Sequence, residues 1–95
     1  MTDIHWSALA RADLLGIVDY ISDDNPVAAL QILDDINTKV GQLAYFPQSG
    51  RLGRVEGTRE LVVLANYVVV YQEDAIAPRV LRVLHAAQQW PSTLE

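Results

Sequence analysis

The chain has 95 residues, about half of them apolar, no cysteine and a formal net charge of −5. That length holds one domain, residues 1–95, with a modest core, and the apolar content is too high for a disordered chain. Without cysteine there is no disulfide framework, thiolate metal site or thiol nucleophile; His5 and His85 are too few and too far apart to suggest zinc. No cofactor or metal is expected.

Ile4, Trp6 and Ala8 alternate with polar neighbours, which predicts a short first strand with one buried face. Ser7 is placed to cap a helix in which Ala10, Leu14, Ile17, Val18 and Ile21 share one face. That helix should stop at Asn25, because Pro26 disfavours helical geometry in the residue before it. Asn25-Pro26 also suits the start of a second helix, predicted to run to about Tyr45 with Leu30, Leu33, Ile36, Val40 and Leu43 as its apolar stripe. A break this short implies an antiparallel helical hairpin.

Residues 46–57, with a proline and three glycines, read as loop. Three strand-like segments follow, Thr58–Ala65, Tyr67–Glu73 and Arg79–His85, joined by turns short enough for antiparallel hairpins. Both phases of these strands carry Val, Leu or Tyr, so both faces of the sheet should be covered, one by the helical hairpin and part of the other by the tail through Trp90-Pro91. The N-terminus lacks the basic and apolar regions of a secretory signal, and the longest apolar run, Leu61 to Ala65, cannot span a bilayer. A soluble, cytoplasmic protein without membrane contact is the expectation.

The two halves differ in charge. Residues 1–50 carry only Arg11 and Lys39 against seven aspartates, whereas residues 51–95 carry Arg51, Arg54, Arg59, Arg79 and Arg82 against five acids. The acidic half predicts a solvated helical face; the arginines are candidates for a site that meets an acidic partner or a nucleic acid. The overall acidity argues against a generic nucleic-acid binder. Arg59 and Glu60 must point to opposite faces of one strand. Arg82 stands mid-strand, where a charge needs either a partner such as Glu60 or a function.

The order of these elements and the residues themselves resemble the RelE/ParE toxin family. Trp6-Ser7, Ala12-Asp13-Leu14 and Ile17-Val18-Asp19-Tyr20-Ile21 look like its first strand and helix. Phe46-Pro47, Gly50-Arg51, Gly53-Arg54 and Gly57-Thr58-Arg59-Glu60-Leu61 look like its loop and second strand, and Tyr67-Val68-Val69-Val70-Tyr71 with Leu81 to Pro91 like its last strands and tail. The resemblance implies an α+β fold in the order β-α-α-β-β-β, a helical hairpin packed on a mainly antiparallel twisted sheet. It also implies a growth-inhibitory toxin blocked by a cognate antitoxin, usually encoded beside it, with any DNA contact made through that antitoxin.

Two mechanisms stand within the resemblance, together with the possibility of a degenerate member that only binds its antitoxin. RelE-like members cut mRNA in the ribosomal A site, which needs cationic groups with an acid–base residue; His85, Arg59, Arg82 and Tyr67 are the candidates here. ParE-like members bind DNA gyrase and trap its cleaved-DNA state without chemistry of their own; Arg51, Arg54, Arg59 and Trp90 are the candidate contacts. The single lysine, Lys39, lies in the helical hairpin, and the chain is acidic, whereas gripping ribosomal RNA gains from each phosphate contact. These features favour the gyrase reading.

Overall fold

The computed structural model describes residues 4–64, 66–73 and 77–85. The elements are β1 (His5–Trp6), α1 (Ala8–Asp24), α2 (Pro26–Gly41), a 3-10 turn (Gln42–Ala44), β2 (Arg51–Leu52), β3 (Arg59–Val63), β4 (Tyr67–Gln72) and β5 (Arg79–His85). Capping sets the helix boundaries. Ser7 is extended, and its Oγ accepts from the Ala10 N–H at 3.0 Å. Asn25 serves both helices: its N–H closes α1 on the Ile21 carbonyl at 2.7 Å, and its Oδ1 accepts from the Ala28 N–H at 3.1 Å to open α2. Pro26 occupies the first turn of α2, where its missing N–H costs nothing.

The second helix is shorter than its sequence suggests. It ends at Gly41 and tightens into the 3-10 turn, so the apolar run toward Tyr45 continues without α-helical geometry. Its stripe is also displaced. Ile36, Val40 and Leu43 are buried, but Leu30 is 67% exposed and Ala29 lies inward instead.

Five strands form one sheet in the order β1-β5-β4-β3-β2, antiparallel throughout except that β1 runs parallel to β5. The 46–57 segment, expected to be wholly loop, contains β2, a two-residue edge strand paired with Arg59 and Glu60. β3 stops earlier than expected, at Val63, because Leu64 takes a left-handed φ of 58° that no strand continues through. Leu61, Val63, Val69, Tyr71, Val80 and Val83 meet the hairpin, packing against Ala10, Ile36, Val40 and Leu43. The opposite face buries Val68, Val70 and Leu84, with half-buried Val55 against them. An irregularity between β4 and β5 pairs Val70 with Arg82 but Tyr71 with Val80, which lets Val80 and Val83 share a face. Among the described residues no helix is long and apolar enough to cross a membrane.

Candidate functional site

The arginine-bearing loop is tied down by one tyrosine. Tyr71 is fully buried; its hydroxyl donates to the Pro47 carbonyl at 2.6 Å and accepts from the Gly50 N–H at 3.0 Å. Gly50 lies so close that a Cβ there would sit 2.8 Å from the ring. Arg59 adds a second tie, donating from Nη1 to the Gly50 carbonyl at 2.8 Å while its Nε pairs with Glu73. Sequence reasoning offered Arg59 for catalysis or partner contact. The structure places one of its hydrogen bonds on the loop and the other on Glu73.

Arg51 and Arg54 converge on the opposite face. Glu60, 3% exposed, accepts from Arg51 Nε and Nη2 at 3.3 and 3.0 Å and from the Arg54 backbone N–H at 3.2 Å. The Arg54 guanidinium stands 3.8 Å away. One buried carboxylate thus collects two cations whose side chains remain 58% and 54% exposed. Around this loop stand Tyr45, Phe46 and Leu52, each at least 66% exposed. The loop is therefore a preorganised surface of arginine, aromatic and aliphatic groups rather than a freely moving segment.

Arg82 is a different kind of residue. It shares its register with Val70, on the sheet face away from the helices, yet its guanidinium meets Asp13 of α1. Asp13 Oδ2 accepts from Arg82 Nε at 2.6 Å and from the Val83 backbone N–H at 3.0 Å, and Oδ1 accepts from Arg82 Nη2 at 2.9 Å. The hydrogen bond to Asp13, against the opposing effect of burial and with the attraction of the carboxylate, raises the Arg82 pKa above its ordinary value. The acid that meets Arg82 is thus Asp13, while Glu60 serves Arg51 and Arg54. Ser7 completes the arrangement by donating from Oγ to the Leu81 carbonyl at 2.8 Å. Beyond β1, the edge of β5 is closed by side chains.

Tyr67 and His85 do come together. They are register partners with ring centroids 5.5 Å apart at 84°, and they line a cleft of about 340 Å³ with Gly16, Ile17, Tyr20 and Val83. Arg59 does not join them. It pairs with Tyr71, four residues along β4 from Tyr67, which at strand rise is about 13 Å away. Trp90 lies outside the described residues, as does the tail expected to cover the second face. Among the described residues no group of three potential ligands could hold a metal.

Sequence reasoning missed Asp13 and Tyr71 as organising residues. Arg82 signalled either a partner such as Glu60 or a function, and the acid it meets lies 69 positions away on another element. For Tyr71, a tyrosine in an apolar strand gave no sign of which loop atom, 21 to 24 residues away, it would hold.

Comparison with known proteins places this architecture. Residues 4–90 match the family model for the ParE toxin of type II toxin–antitoxin system, parDE. The chain is 43% identical over 94 residues to a Sinorhizobium fredii protein named "Putative toxin Y4kP", covering 96% of this chain and 95% of that one. It is 36% identical over 88 residues to "Toxin RelE2" of Caulobacter vibrioides, covering 93% and 99%. A solved structure of the chromosomal ParDE TA system from P. aeruginosa superposes with a TM-score of 0.79 at 26% identity, over 90% of this chain and 96% of that one. Family membership implies an antitoxin partner. With a matching fold and near-complete coverage of its relatives, this chain belongs to the ParE toxin family of type II toxin–antitoxin systems.

Proposed function

We propose that this toxin inhibits growth by binding DNA gyrase and stabilising its cleaved-DNA state, and that its antitoxin prevents this. The observation that carries the reading is the disposition of the arginines. Arg82 is matched by Asp13, Arg59 by Glu73, and Arg51 with Arg54 by Glu60. A ribosome-dependent nuclease needs cations aimed at phosphate and at the charge that develops during cleavage. Here Arg51 and Arg54 stay more than half exposed although Glu60 anchors them, and they sit on a braced loop with exposed Tyr45, Phe46 and Leu52, a composition suited to a protein surface. Supercoiling by purified gyrase, with and without the protein, tests the reading. Inhibition with accumulated cleaved DNA is expected. A folded protein that is toxic in cells yet leaves gyrase untouched would refute it.

One observation favours a second reading, mRNA cleavage on the ribosome: the Tyr67–His85 ring contact in an open cleft places a potential acid–base group beside an aromatic platform. Replacement of His85 by alanine separates the two. Loss of toxicity from a folded His85→Ala protein supports cleavage; retained toxicity supports gyrase.

A further inference from the structure

Arg51 and Arg54 share Glu60 unequally. Arg51 gives it two guanidinium hydrogen bonds, from Nε at 3.3 Å and Nη2 at 3.0 Å, both to Oε1. Arg54 bonds Oε2 through its backbone N–H at 3.2 Å, while its Nε stands 3.8 Å from that oxygen, beyond hydrogen-bond length. Among the described residues the Arg54 guanidinium donates to nothing, although it carries five N–H groups in one planar fork. Glu60 therefore fixes the Arg54 backbone and attracts its charge, yet leaves the side-chain donors unused.

The backbone around Arg54 is closed into a turn. The Gly53 N–H donates to the Thr58 carbonyl at 2.8 Å, and Thr58 donates to the Val55 carbonyl from its N–H at 3.1 Å and its Oγ1 at 2.6 Å. Gly53 lies so near that a Cβ there would stand 2.2 Å from Thr58 Oγ1, and Gly57 takes a left-handed φ of 85°. Buried Thr58 anchors the turn to the start of β3. A side chain carried on so fixed a backbone has less freedom to lose when it meets a partner.

We infer that Arg54 determines the specificity of this surface by taking a single carboxylate of the partner protein in its planar fork, with Arg51 supplying charge beside it. The inference rests on the gyrase reading and adds the chemistry of the contact. A carboxylate fits a guanidinium fork through two parallel hydrogen bonds. A DNA backbone is a poorer match. It carries one charge per about 1.7 Å of helix axis, and it would meet a chain of net charge −5 with Glu56 exposed in the same turn. One acidic side chain framed by apolar groups brings a single charge to Arg54 and covers exposed Tyr45, Phe46 and Leu52.

The test uses the full chain and purified gyrase, read as affinity for immobilised gyrase with and without DNA and as inhibition of supercoiling. Arg54→Lys keeps the charge and loses the fork. It should weaken binding by at least about tenfold, equally with and without DNA, at unchanged circular dichroism. Arg51→Lys should weaken it by no more than about threefold, since a lysine there can still pair with Glu60. Leu30→Ser, exposed on α2 and outside this loop, should bind as the unaltered chain does. A folded Arg54→Lys protein with undiminished affinity, or an equal loss in Arg51→Lys, overturns the assignment while leaving the gyrase reading intact. A loss seen only when DNA is present overturns the carboxylate in favour of a DNA phosphate. An unaltered chain that does not bind gyrase overturns the gyrase reading, and this assignment with it.

Discussion

The two ends of the sheet use the same ion-pair chemistry to opposite effect. At the β5 end one carboxylate, Asp13, meets one arginine, Arg82; their side chains are 16% and 9% exposed and the contact is bidentate. At the β2 end one buried carboxylate, Glu60, collects two arginines that remain more than half exposed. The first arrangement leaves nothing for a partner and fastens a helix to a strand. The second fixes positions while keeping guanidinium groups in solvent. An arginine in this fold is thus assigned to structure or to recognition by the exposure of its own side chain, not by whether it has an acidic neighbour.

Breaking the buried end should cost most. Asp13→Ala or Arg82→Ala removes one half of a largely buried ion pair and should lower stability by about 3–5 kcal/mol in urea unfolding. Replacing both by apolar residues of similar volume should recover most of it; single losses below about 1 kcal/mol would show that the pair fastens nothing. Because Arg82 has its pKa raised on folding, its contribution is fully present below the ordinary arginine value and is lost only as pH rises through the folded one. Unfolding free energy assigned to the pair should therefore stay flat from about pH 7 to 10.

Next come the ties of the loop. Tyr71→Phe removes a hydroxyl that both donates and accepts, and should destabilise by about 1–3 kcal/mol. Gly50→Ala crowds the same ring by a similar amount, and either change should loosen the loop in hydrogen exchange. If loop protection survives in Tyr71→Phe, the bracing resides elsewhere. Glu60→Gln keeps the shape but discharges the hub, for a loss of about 1–2 kcal/mol. The smallest effect on folding belongs to Arg51→Ala and Arg54→Ala, within about 1 kcal/mol each, yet these should reduce gyrase inhibition. Loss of stability without loss of inhibition would collapse the distinction between the two ends.

Much of this architecture was legible in local sequence. Ser7, Asn25 and Pro26 mark the helix boundaries by their own hydrogen-bonding capacity, and the runs of Val, Leu and Tyr between short turns mark strands. What escaped was non-local. β2 is two residues long and exists only because Arg59 and Glu60 offer it a ladder, and on α2 Ala29 is buried while Leu30 is exposed, a choice of face that the apolar stripe alone does not fix. For the site, the pairing of Tyr67 with His85 depends on register across two strands, and that of Asp13 with Arg82 on how α1 lies against β5. Neither follows from spacing along the chain.

The plugged edge of β5 has one more consequence. Exposed strand edges are templates on which other chains polymerise. Ser7 takes the Leu81 carbonyl and Asp13 the Val83 N–H, while at the far side β2 presents a rim only two residues long with an arginine on it. The β5 side therefore offers a passing strand little to copy, whereas on the far side β2 ends after two residues and leaves Leu61 to Val63 of β3 outside its ladder.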